Sequence, residues 1–275
     1  MPATRILTAL VLLTTFLVAL FYLPSIFWSM LLLGLTVTAA REWCRLGNFS
    51  VNQTIFYLIA TTLLGGELLF LLGEAVNVDT MSTSFIWLYG ASAGFWLLIA
   101  PAMLKTGQVF KTGWIVMILG WLILLPTCLA LYQLRAVGPV LLLGFMGVIW
   151  VADSVAYFAG RAFGKHKLAP QISPGKTWEG VFAALGGVFI YAVIWLCWAD
   201  GEDKPILWLV PFLLMLTVLG IVGDLFESLL KRQAGVKDSG KILPGHGGIL
   251  DRIDALTSTL PIATLVVILF YSKVT

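Results

Sequence analysis

Carboxylates concentrate in the second half of the chain, where they lie within or at the ends of apolar segments. Asp153, Asp224, Glu227, Asp251 and Asp254 all have this setting. A charge in a membrane-spanning segment is costly and usually faces a partner, a cavity or an ion. Neighbouring carboxylates repel one another unless a cation joins them, and Mg²⁺ commonly takes one or two carboxylates together with substrate phosphates. The pattern therefore indicates a divalent cation and a phosphate-bearing substrate.

One group of these residues falls on a single helix face. Asp224, Glu227 and Ser228 stand at positions i, i+3 and i+4, and Lys231 follows one turn later. The face combines acids, a hydroxyl and a base at the end of a long apolar segment. Taken alone, Lys231 and Arg232 fit equally well an ordinary membrane-interface end with snorkelling side chains.

The stretch 236–248 is rich in glycine and carries Lys237, Lys241 and His246. Glycines let backbone N–H groups turn toward an anion, and lysines add the charge that suits phosphate. The stretch opens into the last apolar segment, whose helix N-terminus favours negative charge. A pair of glycines before a helix is usually only a turn, but the whole combination indicates a phosphate site.

A second basic stretch, 161–177, follows the sixth apolar segment and ends in the triplet Gly-Lys-Thr. A Walker phosphate loop is excluded, because its first glycine would fall at Pro170 and no strand precedes it. We interpret this stretch as a further set of phosphate contacts without a Walker fold.

The stretch from Ser228 to Asp254 resembles the full signature of the phosphatidate cytidylyltransferases, also called CDP-diacylglycerol synthases. The residues that carry the resemblance are Ser228, Lys231-Arg232, Lys237-Asp238, Ser239, Leu243-Pro244, His246-Gly247-Gly248, Asp251-Arg252 and Asp254. Two further patterns resemble the family, namely residues 173–180 and the set Asp153, Tyr157 and Gly160. The resemblance covers the C-terminal half by motif and the first half only by hydropathy.

What this resemblance implies is a Mg²⁺-dependent reaction of CTP with phosphatidic acid that gives CDP-diacylglycerol and pyrophosphate. A phosphate oxygen of the lipid would attack the α-phosphorus of CTP. Such chemistry needs positioning and charge neutralisation more than a protein nucleophile. The resemblance also implies a homodimer, packed through the N-terminal segments, with membrane lipids but no nucleic acid among its partners.

The implied site residues fall into three groups. The metal ligands for Mg²⁺ are Asp224 and Asp251, and a second cation is left open. The catalytic residues are Asp224, Asp251, Lys237, His246 and Asp254. The substrate-binding residues are Ser173, Lys176, Thr177, Ser228, Lys231, Arg232, Lys241, Gly247, Gly248 and Arg252.

The elements that must position these residues are membrane-spanning helices. The chain of 275 residues is 60% hydrophobic and 11% charged, whereas soluble domains carry about 25% charged residues. Nine segments approach the length of about 20 apolar residues that a spanning helix needs. They are residues 6–23, 25–40, 54–73, 83–102, 112–132, 137–160, 178–199, 204–230 and 251–271.

This pattern predicts an all-α, polytopic membrane protein of about nine spans with no soluble domain. Only Pro24 and Ser25 separate the first two segments, so eight spans stay open. Alternating the connections places 14 of the 17 basic residues on one side, and the positive-inside rule makes that side cytoplasmic. We therefore expect the N-terminus and the active site on the cytoplasmic face of the inner membrane. Residues 1–135 would serve packing and oligomer contacts, and residues 136–275 would carry catalysis.

Two other functions remain as alternatives. A CTP-dependent enzyme could act on another lipid phosphate or on a polyprenol, because the motif fixes the nucleotide better than the lipid. A secondary transporter would also place acids within spans, but the acids here gather near one membrane face beside two basic stretches.

Overall fold

The computed structural model describes residues 2–109, 113–198, 208–242 and 247–271. Its backbone is almost entirely helical. The helices are α1 (Pro2–Tyr22), α2 (Ser25–Leu46), α3 (Val51–Val78), α4 (Ile86–Gly94), α5 (Ala100–Thr106), α6 (Gly113–Val137), α7 (Pro139–Phe163), α8 (Trp178–Trp198), α9 (Leu209–Gln233) and α10 (Leu250–Tyr271). The all-α membrane architecture predicted from the sequence is confirmed.

Seven helical stretches in the described part of the chain are long and apolar enough to cross a membrane. Six are the helices α3 and α6 to α10, and the seventh is the continuous run Ile86–Thr106. For α1 the described apolar stretch is only Leu13–Tyr22, and the last turns of α2 carry Arg41, Glu42 and Arg45. The two are separate helices, since Pro24 takes an extended backbone conformation between them. The count of nine spans stays a prediction.

Large apolar side chains cover the outside of this bundle. On α3 and α8 they include Leu63, Phe70, Phe182 and Ile190, all of which are exposed. Such a continuous apolar surface would be a liability in water but matches the hydrocarbon core of a bilayer.

Connections predicted to lie on the same side of the membrane meet in space. At one end of the bundle the Gln233 amide donates to the carbonyl oxygen of Gly107 at 3.1 Å. At the opposite end Arg135 Nε donates to the Leu20 carbonyl at 2.8 Å, and its guanidinium lies 4.9 Å from the Trp28 ring centroid. Each of these two contacts joins connections that the charge pattern assigns to the same side; the orientation of the bundle stays a prediction.

A short hairpin replaces the loop expected between α7 and α8. Strands β1 (Lys167–Ala169) and β2 (Ser173–Thr177) pair antiparallel, with Lys167 opposite Thr177. A turn joins them, in which Ile172 N donates to the Ala169 carbonyl at 3.1 Å. The hairpin gives the Ser173–Thr177 stretch a fixed backbone before the chain enters α8.

Helices α9 and α10 pack closely where both carry acids. A Cβ atom on Gly223 would lie 2.7 Å from the carbonyl oxygen of Asp254 and 3.1 Å from the Cβ atom of Ser258. Ser258 Oγ in turn donates to the Leu219 carbonyl at 2.8 Å. Small residues let the two backbones approach, and this approach brings the acidic ends of both helices together.

A π-helical turn, Phe95–Ile99, connects α4 to α5 without a break. Pro101 follows it and has no N–H to donate to the carbonyl four residues earlier, which favours a wider turn here. Phe95 and Trp96 both contact Phe226 of α9 edge to face, with centroid distances of 5.4 and 5.5 Å. The turn thereby fixes two consecutive aromatic rings against one residue beside the acids of α9.

Candidate active site

A cavity of about 730 Å³ lies between α7, the hairpin, α8 and α9, with Ala255 of α10 at its wall. Four of the predicted site residues line it, namely Ser173, Lys176, Thr177 and Asp224. Asp153 and the cations Arg161 and Lys167 line the same space, and apolar residues such as Ile149, Val181 and Ala184 form the rest of the wall. Because the lining residue Tyr157 is exposed, the cavity reaches the molecular surface. It can hold a molecule with a charged group and an apolar portion.

Lys176 and Asp224 form an ion pair inside this cavity. The distance from Lys176 Nζ to Asp224 Oδ2 is 2.5 Å. Ser228, one helical turn beyond Asp224, donates to Asp224 Oδ1 at 3.3 Å. Asp153 lines the same cavity, where its negative charge repels that of Asp224, while Lys176 and Arg252 attract it. The pair therefore holds together two elements that are far apart in sequence, the hairpin and α9.

Thr177 shapes the cavity wall at the start of α8. The residue is buried, and its hydroxyl oxygen accepts a hydrogen bond from Gly180 N at 3.2 Å. The glycines of α7 and its C-terminus leave room for it, because a Cβ atom on Gly164 would lie 2.7 Å from Thr177 Cγ2 and one on Gly160 would lie 3.0 Å from Thr177 Oγ1. The glycine spacing seen in the sequence thus reflects close packing around this threonine.

Lys231 joins a second polar cluster on the neighbouring face of α9 and α10. Its ammonium lies 2.8 Å from Glu227 Oε2 and 2.7 Å from Asp251 Oδ1. The Glu227 contact spans four residues of one helix, as the sequence pattern predicts. The Asp251 contact crosses to α10 and depends on the close packing of the two helices.

Asp251 also closes the loop that precedes α10. Its Oδ2 atom accepts hydrogen bonds from Ser239 N at 3.0 Å and from Gly248 N at 2.8 Å, and Ser239 Oγ lies 3.0 Å away. Gly247 has a φ angle of 81°, and a Cβ atom there would lie 2.5 Å from the same oxygen. Glycine is required at this position by conformation and by space.

The structure gives the two predicted metal ligands separate surroundings. Asp224 faces Lys176 and Ser228 in the cavity, whereas Asp251 holds Lys231, Ser239 and Gly248. Within the described residues, three or more acids, histidines or cysteines do not group closely enough to hold a metal by themselves.

Asp254 belongs to α10 and interacts with the acids of α7 and α9. Its Oδ1 atom accepts a hydrogen bond from Ala255 N at 2.8 Å. The charges of Asp224, Glu227 and Asp153 all repel that of Asp254. Asp153 and Asp224 line the cavity, and Asp254 lies near them but outside its lining.

The remaining predicted residues surround these two clusters. Arg232 Nε donates to the Ile172 carbonyl in the hairpin turn at 3.2 Å. Lys237, Lys241 and Arg252 are exposed at this end of the bundle. His246 lies outside the described residues.

Sequence reasoning missed Glu42 of α2, which is buried and contacts the loop before α10. Its carboxylate accepts hydrogen bonds from Ile249 N at 3.0 Å and from Leu250 N at 2.8 Å. The signal was present, because Glu42 precedes Trp43 and Cys44 at the end of an apolar segment. The rule that singled out the acids of the second half applies to it equally.

Comparison with known proteins extends the similarity over the whole chain. The model of the cytidylyltransferase family matches residues 3–270. A phosphatidate cytidylyltransferase of Pseudomonas aeruginosa is 36% identical over 271 residues, 94% of each chain. The enzyme of that name from Haemophilus influenzae is 32% identical over 276 residues, covering 94% of this chain and 95% of its own. One from Brucella abortus is 34% identical over 268 residues, 93% of this chain and 89% of its own.

Proposed function

The chain belongs to the cytidylyltransferase family, and from this membership we propose that it is a phosphatidate cytidylyltransferase. It joins CTP to phosphatidic acid and releases CDP-diacylglycerol and pyrophosphate. The observation that carries the assignment is the similarity over nearly the full length to relatives that bear this enzyme name. The cavity supplies an independent reason, because its walls match a substrate with a phosphate headgroup and acyl chains.

The reaction makes one bond and breaks one. A phosphate oxygen of phosphatidic acid bonds to the α-phosphorus of CTP, while the bond from that phosphorus to the bridging oxygen of the β-phosphate breaks and pyrophosphate leaves. The attacking phosphate is already ionised, so a protein base is not needed. What the protein must supply is alignment and positive charge. Lys176, Arg161 and Lys167 provide that charge at the cavity wall.

Mg²⁺ fits the acids of the cavity. Asp153 and Asp224 line the same space and repel each other. Mg²⁺ usually binds one or two protein carboxylates together with substrate phosphates, and the cavity offers two such carboxylates. When bound, Mg²⁺ neutralises phosphate charge. Asp224, with Asp153 beside it, would hold the ion, and Asp254 is the candidate for a second cation.

Asp251 has a different role in this proposal. Its side chain is only 7% exposed, against 31% for Asp224, and two backbone N–H groups of the loop together with Lys231 occupy its oxygens. We therefore assign Asp251 to positioning the loop and Lys231, whereas the sequence predicted it as a metal ligand. The exposed Lys237 and Lys241, with His246 and Arg252, would meet the phosphates of CTP.

The location follows the charge pattern. We propose that the end of the bundle that carries Lys231, Lys237 and Lys241 faces the cytosol, where CTP is available, and that the membrane is the bacterial inner membrane. We also propose that the protein is a homodimer whose contacts involve the N-terminal helices. The exposed apolar side chains of α3 are the surface on which to seek that contact.

The purified chain tests the assignment. In detergent, with CTP, Mg²⁺ and phosphatidic acid, it should form a CDP-lipid and one equivalent of pyrophosphate, and EDTA should abolish both. Asp224→Asn should reduce turnover by about a hundredfold or more, as expected for loss of a charge that holds a catalytic metal. Asp79→Asn is the matched control at the opposite end of the bundle and should leave turnover unchanged.

Two results would contradict the proposal. Formation of a CDP-lipid only from another lipid phosphate, such as a polyprenyl phosphate, would assign the chain to the alternative substrate. Normal turnover by Asp224→Asn, with unchanged Mg²⁺ dependence, would remove Asp224 from the metal site.

A further inference from the structure

Glu42 links the N-terminal half of the chain to the loop that carries the family signature. It lies in the last turns of α2 and is only 4% exposed. Among the described residues, three groups donate to its carboxylate, and all belong to that loop or to the start of α10. Besides Ile249 N and Leu250 N, Ser239 Oγ donates to Glu42 Oε2 at 3.0 Å.

These contacts cap α10 from another helix. Leu250 is the first residue of α10, and the N–H groups at a helix start have no partner within the helix. A carboxylate that accepts two of them satisfies orphan donors and interacts favourably with the helix dipole. The cap normally comes from the residue just before the helix, but here Ile249 cannot provide it, because its side chain is apolar.

The loop backbone is built around this carboxylate. A Cβ atom on Gly240 would lie 2.8 Å from Glu42 Cδ and 3.1 Å from the Cα atom of Gly248. A Cβ atom on Gly248 would collide with both carboxylate oxygens of Glu42 and with Ser239 Oγ. Two glycines of the loop are thus needed because Glu42 occupies the space that their side chains would take.

Ser239 connects Glu42 to Asp251. Its hydroxyl lies 3.0 Å from Glu42 Oε2 and 3.0 Å from Asp251 Oδ2. Asp251 holds Lys231, so a continuous chain of polar contacts runs from α2 through the loop to α9. A shift of the Glu42 carboxylate would therefore move the loop and, with it, the first turn of α10.

We propose that Glu42 is a positioning residue for the reaction, which sets Ser239 and Gly240 on one side of the loop and residues 248–250 on the other in the conformation that receives CTP. The inference rests on the proposed function and assigns to α2 a part in nucleotide binding. The N-terminal helices consequently do more than pack and form oligomer contacts.

Kinetics with both substrates tests the proposal. In Glu42→Gln and, more strongly, in Glu42→Ala, we expect kcat/KM for CTP to fall about tenfold or more, as for loss of a charge-assisted hydrogen bond. The KM for phosphatidic acid should stay within about twofold, because the cavity is built from other residues. Glu67→Gln makes the same change at an exposed position of α3 and should leave both constants unaltered.

Hydrogen exchange gives a second readout that does not need activity. The peptide that covers residues 247–255 should exchange about tenfold faster in Glu42→Ala than in the parent protein, since the N–H groups of Ile249 and Leu250 lose their acceptor. Ser239→Ala tests the same contact chain without altering a charge and should speed exchange less.

The outcomes distinguish failure of the positioning role of Glu42 from failure of the proposed function. Unchanged exchange in both Glu42 variants, or a fall in kcat alone with both KM values intact, would overturn the positioning role, because a mere loss of folded protein lowers kcat only. If the parent protein makes no CDP-diacylglycerol, the proposed function fails, and faster exchange in Glu42→Ala still supports the control of the loop by Glu42.

Discussion

Replacing either of two lysines of the site by methionine should have different effects. The change at Lys231 should lower stability, whereas the change at Lys176 should lower turnover. Lys231→Met removes an ammonium whose side chain is only 13% exposed and that lies between Glu227 and Asp251, each 7% exposed. Breaking a buried ion pair by removing one partner costs about 3–5 kcal/mol, because a buried charge is left uncompensated. Here two carboxylates lose the same cation, so we expect a loss in the free energy of unfolding at the upper end of that range.

Lys176→Met makes the identical change in the cavity. Lys176 and Asp224 are 25% and 31% exposed, and ion pairs open to solvent contribute only about 0–1 kcal/mol. Its stability should therefore stay within about 1 kcal/mol of the parent protein, whereas turnover should fall about a hundredfold if this cation faces the transferring phosphate.

Denaturant-induced unfolding in mixed detergent micelles measures the stability of both variants, and release of pyrophosphate measures their turnover. Lys231→Met combined with Glu227→Gln should recover part of the lost stability, since one uncompensated charge is removed. A Lys231→Met protein as stable as Lys176→Met would refute the reasoning.

Three further substitutions test the packing that positions the site. Gly223→Ala should lower the free energy of unfolding by about 1–3 kcal/mol, because the new methyl group meets the Asp254 carbonyl; an unfolding midpoint equal to that of the parent protein would contradict it. Arg135→Met should lose about 1–3 kcal/mol of stability with its carbonyl hydrogen bonds and its contact with Trp28, yet keep full turnover in the pyrophosphate assay, whereas lost activity in folded protein would be unexpected. Thr177→Val should cost about 1 kcal/mol through loss of the acceptor at the start of α8; thermal unfolding should show the loss, and the serine variant should not share it.

Local spacing predicted the parts of the site that lie on one helix. Asp224 with Ser228 and Glu227 with Lys231 meet as positions four residues apart should. The glycine-rich loop before α10 likewise presents backbone N–H groups to a negative charge. In the structure, however, that charge is provided by carboxylates of Asp251 and Glu42.

Contacts between distant segments could not be read from spacing. The ion pair of Lys231 with Asp251 was not predicted, because the sequence gives no sign that α10 packs on α9 closely enough to bring the two together. Glu42 stands at the end of an apolar segment next to arginines. Its partners lie about 200 residues away, so spacing gives no sign of these contacts. The hairpin was missed because strands of three and five residues are too short to show a clear alternation of apolar and polar positions.

The π-helical turn between α4 and α5 determines how this region responds to a change in chain length. A π-helical turn holds one residue more than an α-helical turn, so deletion of a residue within Phe95–Ile99 would convert the wide turn to regular helix and leave α5 in place. Deletion of a residue from α5 would instead rotate its end by about 100°, and the Gly107 carbonyl would leave the amide of Gln233. Related chains that are one residue shorter in α5 should accordingly carry compensating changes on the facing side of α9.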